Sequence, residues 1–135
     1  MPRRTTDDTA RERIATDLDT TFLVEAGAGS GKTRSLVTRM VSLITSGRTT
    51  VDRIAAVTFT RKAAAELRER FQEALEKTAS QESIEAERAR TALGHLGEAA
   101  LGTTHSFCAR LLRERPVEAG LDPEFRELEE ADADR

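Results

Sequence analysis

The sequence predicts an α/β fold with a mostly parallel sheet flanked by helices, on three observations. A glycine-rich loop, Ala26-Gly27-Ala28-Gly29-Ser30-Gly31-Lys32-Thr33, sits between an apolar run at Phe22-Leu23-Val24 and a helical pattern at Leu36, Val37, Met40, Val41 and Ile44. A second apolar run, Ile54-Ala55-Ala56-Val57, ends in Thr58-Phe59-Thr60 immediately before another helical pattern. A third, Ala99 to Thr103, again leads into a helix. Strands that alternate with helices in this way pair in parallel, because the helix is the crossover that returns the chain to the same edge.

Taken in order, residues 1–9 read as a flexible polar arm, and Ala10 to Leu18 as a short helix with Ile14 and Leu18 on one face. Thr21 to Glu25 is rich in β-formers and reads as the central buried strand that carries the glycine loop. The helix behind the loop runs from Gly31 to about Ser46, where Gly47 is suited to cap it. After the second strand, a helix from Arg61 or Lys62 to about Thr78 buries Ala64, Leu67, Phe71 and Leu75, with Arg61, Arg68 and Arg70 outward. Residues 80–90 are dense in Glu, Gln and Arg and poor in large apolar side chains, which predicts an exposed helix or an insertion lying over the core. The last helix carries Leu111 and Leu112 and ends at Pro116.

Composition limits the function classes. At 135 residues the chain is long enough for one domain, near the lower edge for a doubly wound α/β enzyme. A net charge of -3 gives no overall attraction for nucleic acid, so any such contact must come from local arrangement. The single cysteine, Cys108, cannot form an internal disulfide and reads as packing; a zinc site has only His95 and His105 otherwise on offer. No stretch approaches a membrane span and the N-terminus has no apolar leader, so a cytoplasmic setting is expected.

The loop itself carries chemistry. Gly27, Gly29 and Gly31 allow backbone conformations closed to other residues and bring amide groups close to phosphate oxygens, while the helix behind adds the positive end of its dipole. Lys32 is placed to reach the β- and γ-phosphates, and the Thr33 hydroxyl to ligate Mg²⁺. The cofactor-binding set is therefore Ala26, Gly27, Ala28, Gly29, Ser30, Gly31, Lys32, Thr33 and Arg34, the catalytic candidates Lys32 and Thr33, and the cofactors a nucleoside triphosphate, which the resemblance given below implies to be ATP, and Mg²⁺. Thr58-Phe59-Thr60 sets an aromatic between two hydroxyls at a strand end, a pattern that can stack a base and hold a phosphate; a buried Phe59 is the plainer alternative. Thr103 and His105 place a hydroxyl and an imidazole at the next strand end, where the alternative is a histidine serving only the helix N-terminus. Arg39, Arg53 and Arg110 receive no role, since isolated helical arginines are usually solvated or paired with glutamates.

Three stretches together resemble the superfamily-one DNA helicases of the UvrD/Rep/RecB group. Glu25 to Thr33 is similar to that family's P-loop, in which alanine is common at the position of Ala26. Ala56 to Arg70 looks like its motif Ia, written Thr-Phe-Thr-Asn-Lys-Ala-Ala, with Arg61 the one departure in the core. Leu101 to Arg113 is similar to the next DNA-contacting segment, and Thr104 in place of a phenylalanine before the histidine favours the RecB/AddA-like branch. The resemblance implies a RecA-like P-loop domain, with residues 10–123 as its N-terminal part and 124–135 as an acidic tail opening a further segment. It implies single-stranded DNA contacts at Thr58, Phe59, Thr60, Thr103 and His105, a partner subunit if the branch is right, and no membrane association.

Two family features are absent from this sequence. Arg11 stands where many relatives have an adenine-reading glutamine, and no apolar run ends in Asp-Glu to hold Mg²⁺; Glu129-Glu130 follows no strand pattern. The expected function is the ATP- and single-stranded-DNA-binding portion of an ATP-dependent helicase, with the alternative of a truncated module that binds without efficient hydrolysis. A small kinase or GTPase is a weaker third reading, and no Asn-Lys-x-Asp supports the latter.

Overall fold

The computed structural model describes residues 5–27 and 31–127; residues 1–4, 28–30 and 128–135 lie outside the described set. Helix α1 (Thr6–Thr16) opens on a capping box in which Thr5 Oγ1 accepts the Asp8 amide and the Asp8 carboxylate accepts the Thr5 amide at 2.9 Å. The arm expected over 1–9 is therefore helical from Thr6. Polar capping, and not the apolar spacing used to place this helix at Ala10, sets its start, and none of its residues is buried.

Helix α2 (Lys32–Thr45) buries Val37, Met40 and Ile44 and is followed by Gly47 at φ +77°, as its pattern predicts. A 3-10 turn at Val51–Arg53 leads into β1 (Ala55–Thr58), then α3 (Arg61–Ala79), α4 (Ile84–Gly94), a second 3-10 turn at Leu96–Glu98, β2 (Ala100–Thr103), α5 (Thr104–Glu114) and α6 (Pro116–Ala119). The two strands pair in parallel, with Ala55 opposite Ala100 and Thr58 opposite Thr103. Helix α3 packs on both strands and on α2 and α4, and its Leu67, Phe71 and Leu75 are buried in the single apolar cluster. Ala64 is only half-buried; Arg68, expected to face outward, is half-buried and donates to the Leu101 carbonyl at 3.3 Å.

One larger expectation is corrected. The central strand at Thr21 to Glu25 is not formed: no regular structure is assigned there, and Leu23 is 87% exposed. A strand exists by its pairing as much as by its composition; among the described residues β1 pairs with β2 alone, and residues 21–25 take no part in that sheet. The charged stretch at 80–90, expected as an exposed helix or an insertion lying over the core, is helical from Ile84, with its charged residues mostly exposed and one alanine face buried. Helix α4 buries Ala86, Ala89 and Ala92 against α2 and α3, because alanines at every third position let helix backbones approach closely. Its arginines close the ends of the neighbouring helices: Arg88 donates to the Thr45 carbonyl at 2.8 Å and Arg90 to the Ala79 carbonyl at 2.6 Å. Cys108, expected as packing, is exposed.

Candidate functional site

The site begins at the first turn of α2. Gly31 precedes it at φ +83°, a backbone conformation that glycine alone adopts without strain, and its carbonyl accepts the Ser35 amide at 3.0 Å as the first helical bond. The amides of Lys32, Thr33 and Arg34 consequently have no helical acceptor, and no acidic side chain lies in this turn. The Lys32, Thr33 and Arg34 side chains are exposed. Three amides without a helical acceptor, a lysine and the helix dipole all favour an anion. Of the remaining loop residues, Ala26 is half-buried and Gly27 exposed, whereas Ala28, Gly29 and Ser30 lie outside the described residues.

Among the described residues no group of three or more His, Cys, Asp or Glu is placed to hold a metal. Thr33 still fits magnesium, which keeps several waters and takes much of its coordination from substrate phosphates, so that a single exposed hydroxyl on the first turn suffices as a protein contact. A cleft of about 540 Å³ adjoins this turn, with Lys32 and Ser35 on one side and Ile14, Leu18, Phe22 and Val24 among its apolar lining. A larger cleft of about 660 Å³ at the other end of α2, lined by Gly47, Asp52, Arg88 and His95, contains none of the predicted residues. Its Asp52 carboxyl is held below the usual carboxylate range by the Thr50 hydroxyl, with burial opposing and Arg53 and His95 assisting. Chemistry, and not size, selects the smaller cleft.

The parallel register brings the second and third predicted segments to the same end of the sheet. Thr58 and Thr103 are direct partners, and Thr58 Oγ1 donates to the Thr60 carbonyl at 3.1 Å and lies 3.4 Å from the Gly102 carbonyl. That hydroxyl proton is therefore already engaged. Thr60 and Thr103 differ: each caps a helix by accepting an amide, from Ala63 at 3.1 Å and from Ser106 at 3.2 Å, which leaves the hydroxyl proton available to a phosphate. Phe59 is 95% exposed, so the core alternative does not hold, and His105 is exposed in the first turn of α5.

The sequence pattern of the UvrD/REP helicase N-terminal domain matches residues 7–135. The chain belongs to that family. This UvrD/Rep-type domain is 46% identical over 121 residues to the ATP-dependent helicase/nuclease A-subunit of Desulforamulus reducens, a match over 88% of the chain and 10% of the relative. It is 41% identical over 123 residues to the corresponding A-subunit of Ligilactobacillus salivarius, covering 90% of the chain and 10% of the relative. Against that of Desulfitobacterium hafniense the figures are 42% over 130 residues, 93% of the chain and 9% of the relative. The chain thus spans about a tenth of the length of these relatives, whose identity agrees with the RecB/AddA-like branch expected from the segment around His105.

Sequence reasoning missed two features of the UvrD/Rep-type domain. Arg39, given no role, reaches from α2 to the Ile14 carbonyl in the last turn of α1 and to the Asp17 and Thr20 carbonyls of the segment after it. Its position on the flank of the buried stripe, next to Met40, is the only signal the sequence offers. Gly102 stands in the sequence as one residue of a motif, yet its lack of a side chain makes room for Ser106 Oγ. The structure brings Thr58 to Thr60 and Thr103 to His105 together, and α2, whose first turn carries Lys32 and Thr33, packs on α3, which follows Thr60. No helix among the described residues is long and apolar enough to cross a membrane.

Proposed function

We propose that this chain is the ATP-binding and single-stranded-DNA-contacting N-terminal portion of an ATP-dependent DNA helicase, within a helicase/nuclease assembly that includes a second subunit. The observation that carries the reading is Phe59, an almost fully exposed aromatic beside Thr58 at a strand end in register with Thr103. Exposing a phenylalanine to water is unfavourable unless something stacks on it, and every base offers a π-face. Thr60 and Thr103 donate to the phosphodiester on either side, and His105 extends that contact. At the other end of the reading, Lys32 and the first-turn amides of α2 hold the phosphates of ATP. Magnesium, when bound with the nucleotide, supplies neutralisation of phosphate charge beside Thr33.

Within the whole protein, hydrolysis would close two RecA-like domains on one another and advance them along a strand. This chain alone binds better than it hydrolyses, because phosphoryl transfer depends on charge stabilisation from several groups acting together. The test is ATP turnover by the 135-residue chain with and without a single-stranded oligonucleotide, together with the anisotropy of that oligonucleotide when labelled. Binding of the single strand in preference to a duplex, without stimulated turnover, is expected. Preference for duplex, or no binding of either, contradicts the DNA reading; strong stimulation contradicts the division between binding and hydrolysis.

A further inference from the structure

We propose that Arg39 is a positioning residue of the nucleotide site, holding the cleft wall opposite Lys32 in the form that accepts the base and sugar of a nucleotide; the inference rests on the nucleotide-binding reading above. Arg39 and Lys32 line the same cleft and stand about two turns apart on α2. From there the Arg39 guanidinium spans the gap to the last turn of α1 and the chain that follows it. Nη1 donates to the carbonyls of Ile14 at 2.7 Å and Asp17 at 2.8 Å, and Nη2 donates to that of Thr20 at 3.0 Å. The same guanidinium lies 5.1 Å from the centroid of the Phe22 ring, with that of Arg13 at 5.3 Å.

These contacts matter because residues 17–27 carry no helix or strand. A segment without a backbone ladder is positioned by side-chain contacts, and here one planar fork gathers two carbonyls and an aromatic face of that segment together with a carbonyl of the last turn of α1. Asp17 and Thr20 are further tied by a hydroxyl-to-carboxylate bond of 2.8 Å, so two of the carbonyls that Arg39 takes belong to one local turn, and the third, of Ile14, anchors that turn to the end of α1. That turn and Phe22 form the side of the cleft away from the phosphate-binding turn of α2. Loss of Arg39 frees the wall while leaving Lys32 and the first-turn amides of α2 where they are.

The predicted effect is therefore selective. Binding of ATP and of inorganic tripolyphosphate, each with magnesium, is measured on the 135-residue chain and on Arg39→Ala, Arg39→Lys and Lys32→Ala. Arg39→Ala is expected to weaken ATP by about tenfold or more while changing tripolyphosphate by less than about twofold, as loss of charge-assisted hydrogen bonds to the wall would do. Arg39→Lys recovers little of the loss, since an ammonium does not reach three carbonyls in one plane. Should Arg39→Ala lose the native circular dichroism spectrum, the ratio of the two affinities in Arg39→Lys carries the test. Unchanged ATP affinity, or a parallel loss of both ligands, overturns the positioning role. If the unsubstituted chain binds neither ligand, or Lys32→Ala binds both as tightly as the unsubstituted chain, the nucleotide reading falls and takes this inference with it.

Discussion

Ser106 Oγ occupies the space that a Cβ on residue 102 would need, so Gly102 is fixed by the turn that carries β2 into α5. Ser106 is held there by donating to the Thr103 carbonyl at 2.9 Å while its amide donates to Thr103 Oγ1. A methyl at position 102 forces Ser106 to another rotamer and breaks that hydroxyl bond. Gly102→Ala is expected to destabilise the chain by about 1 kcal/mol, the usual worth of one hydrogen bond, and to cost much less in a Ser106→Ala background. Urea unfolding of the four members of this cycle measures it; equal cost in both backgrounds contradicts the clash.

Phe59 separates stability from binding. Because the ring is 95% exposed, Phe59→Ala is expected to leave the melting temperature unchanged within about 1 °C. Its affinity for a single-stranded oligonucleotide should fall by about tenfold, at the lower end of base-aromatic stacking energies. Fluorescence anisotropy and thermal melting on the same preparation check both halves. A lowered melting temperature with intact binding would return Phe59 to a structural role.

The alanine stripe of α4 sets a third expectation. Ala89 is fully buried against α2 and α3, where backbones approach through the small side chain. Ala89→Leu overpacks that seam and is expected to destabilise by about 1–3 kcal/mol. The same change at exposed Thr91 should stay within about 0.5 kcal/mol. Chemical denaturation of the pair distinguishes a helix with a buried alanine face from one exposed on all sides.

Acid tests the turn beneath Arg39. The Asp17 carboxyl sits below its ordinary value of 3.8, chiefly because the Thr20 hydroxyl donates to it, with burial opposing and backbone bonds and Arg13 assisting. A depressed pKa means stability that is complete above 3.8 and is lost as pH falls through the lower folded-state value. The difference in melting temperature between the unsubstituted chain and Asp17→Asn should therefore shrink from pH 6 towards about pH 3. A difference that stays constant over that range contradicts the Asp17 linkage.

What could be read in the sequence divides along physical lines. Periodic apolar spacing located Leu67, Phe71 and Leu75, and positive-φ capping located Gly47, because both are local properties. The strand expected at Thr21 to Glu25 depended on pairing, which composition does not encode, and α4 depended on how closely helices approach, which charge density conceals. At the site, the residue types of Thr58, Thr60 and Thr103 were visible while their hydrogen-bond states were not: only the structure separates the engaged proton of Thr58 from the available ones of Thr60 and Thr103. Arg39 stayed hidden because its partners are backbone carbonyls more than 18 residues away in sequence, at separations of 25, 22 and 19.

The central claim is that the first turn of α2 is a nucleotide-phosphate site, and calorimetric titration of magnesium-ATP into the chain and into Lys32→Ala tests it most directly. Lys32 is exposed and makes no contribution to the core, so the variant should fold as the unsubstituted chain does. Saturable binding weakened about tenfold to a hundredfold in Lys32→Ala is the predicted result, the range expected for one charge-assisted contact. Equal binding by the two proteins, or none by either, would contradict it.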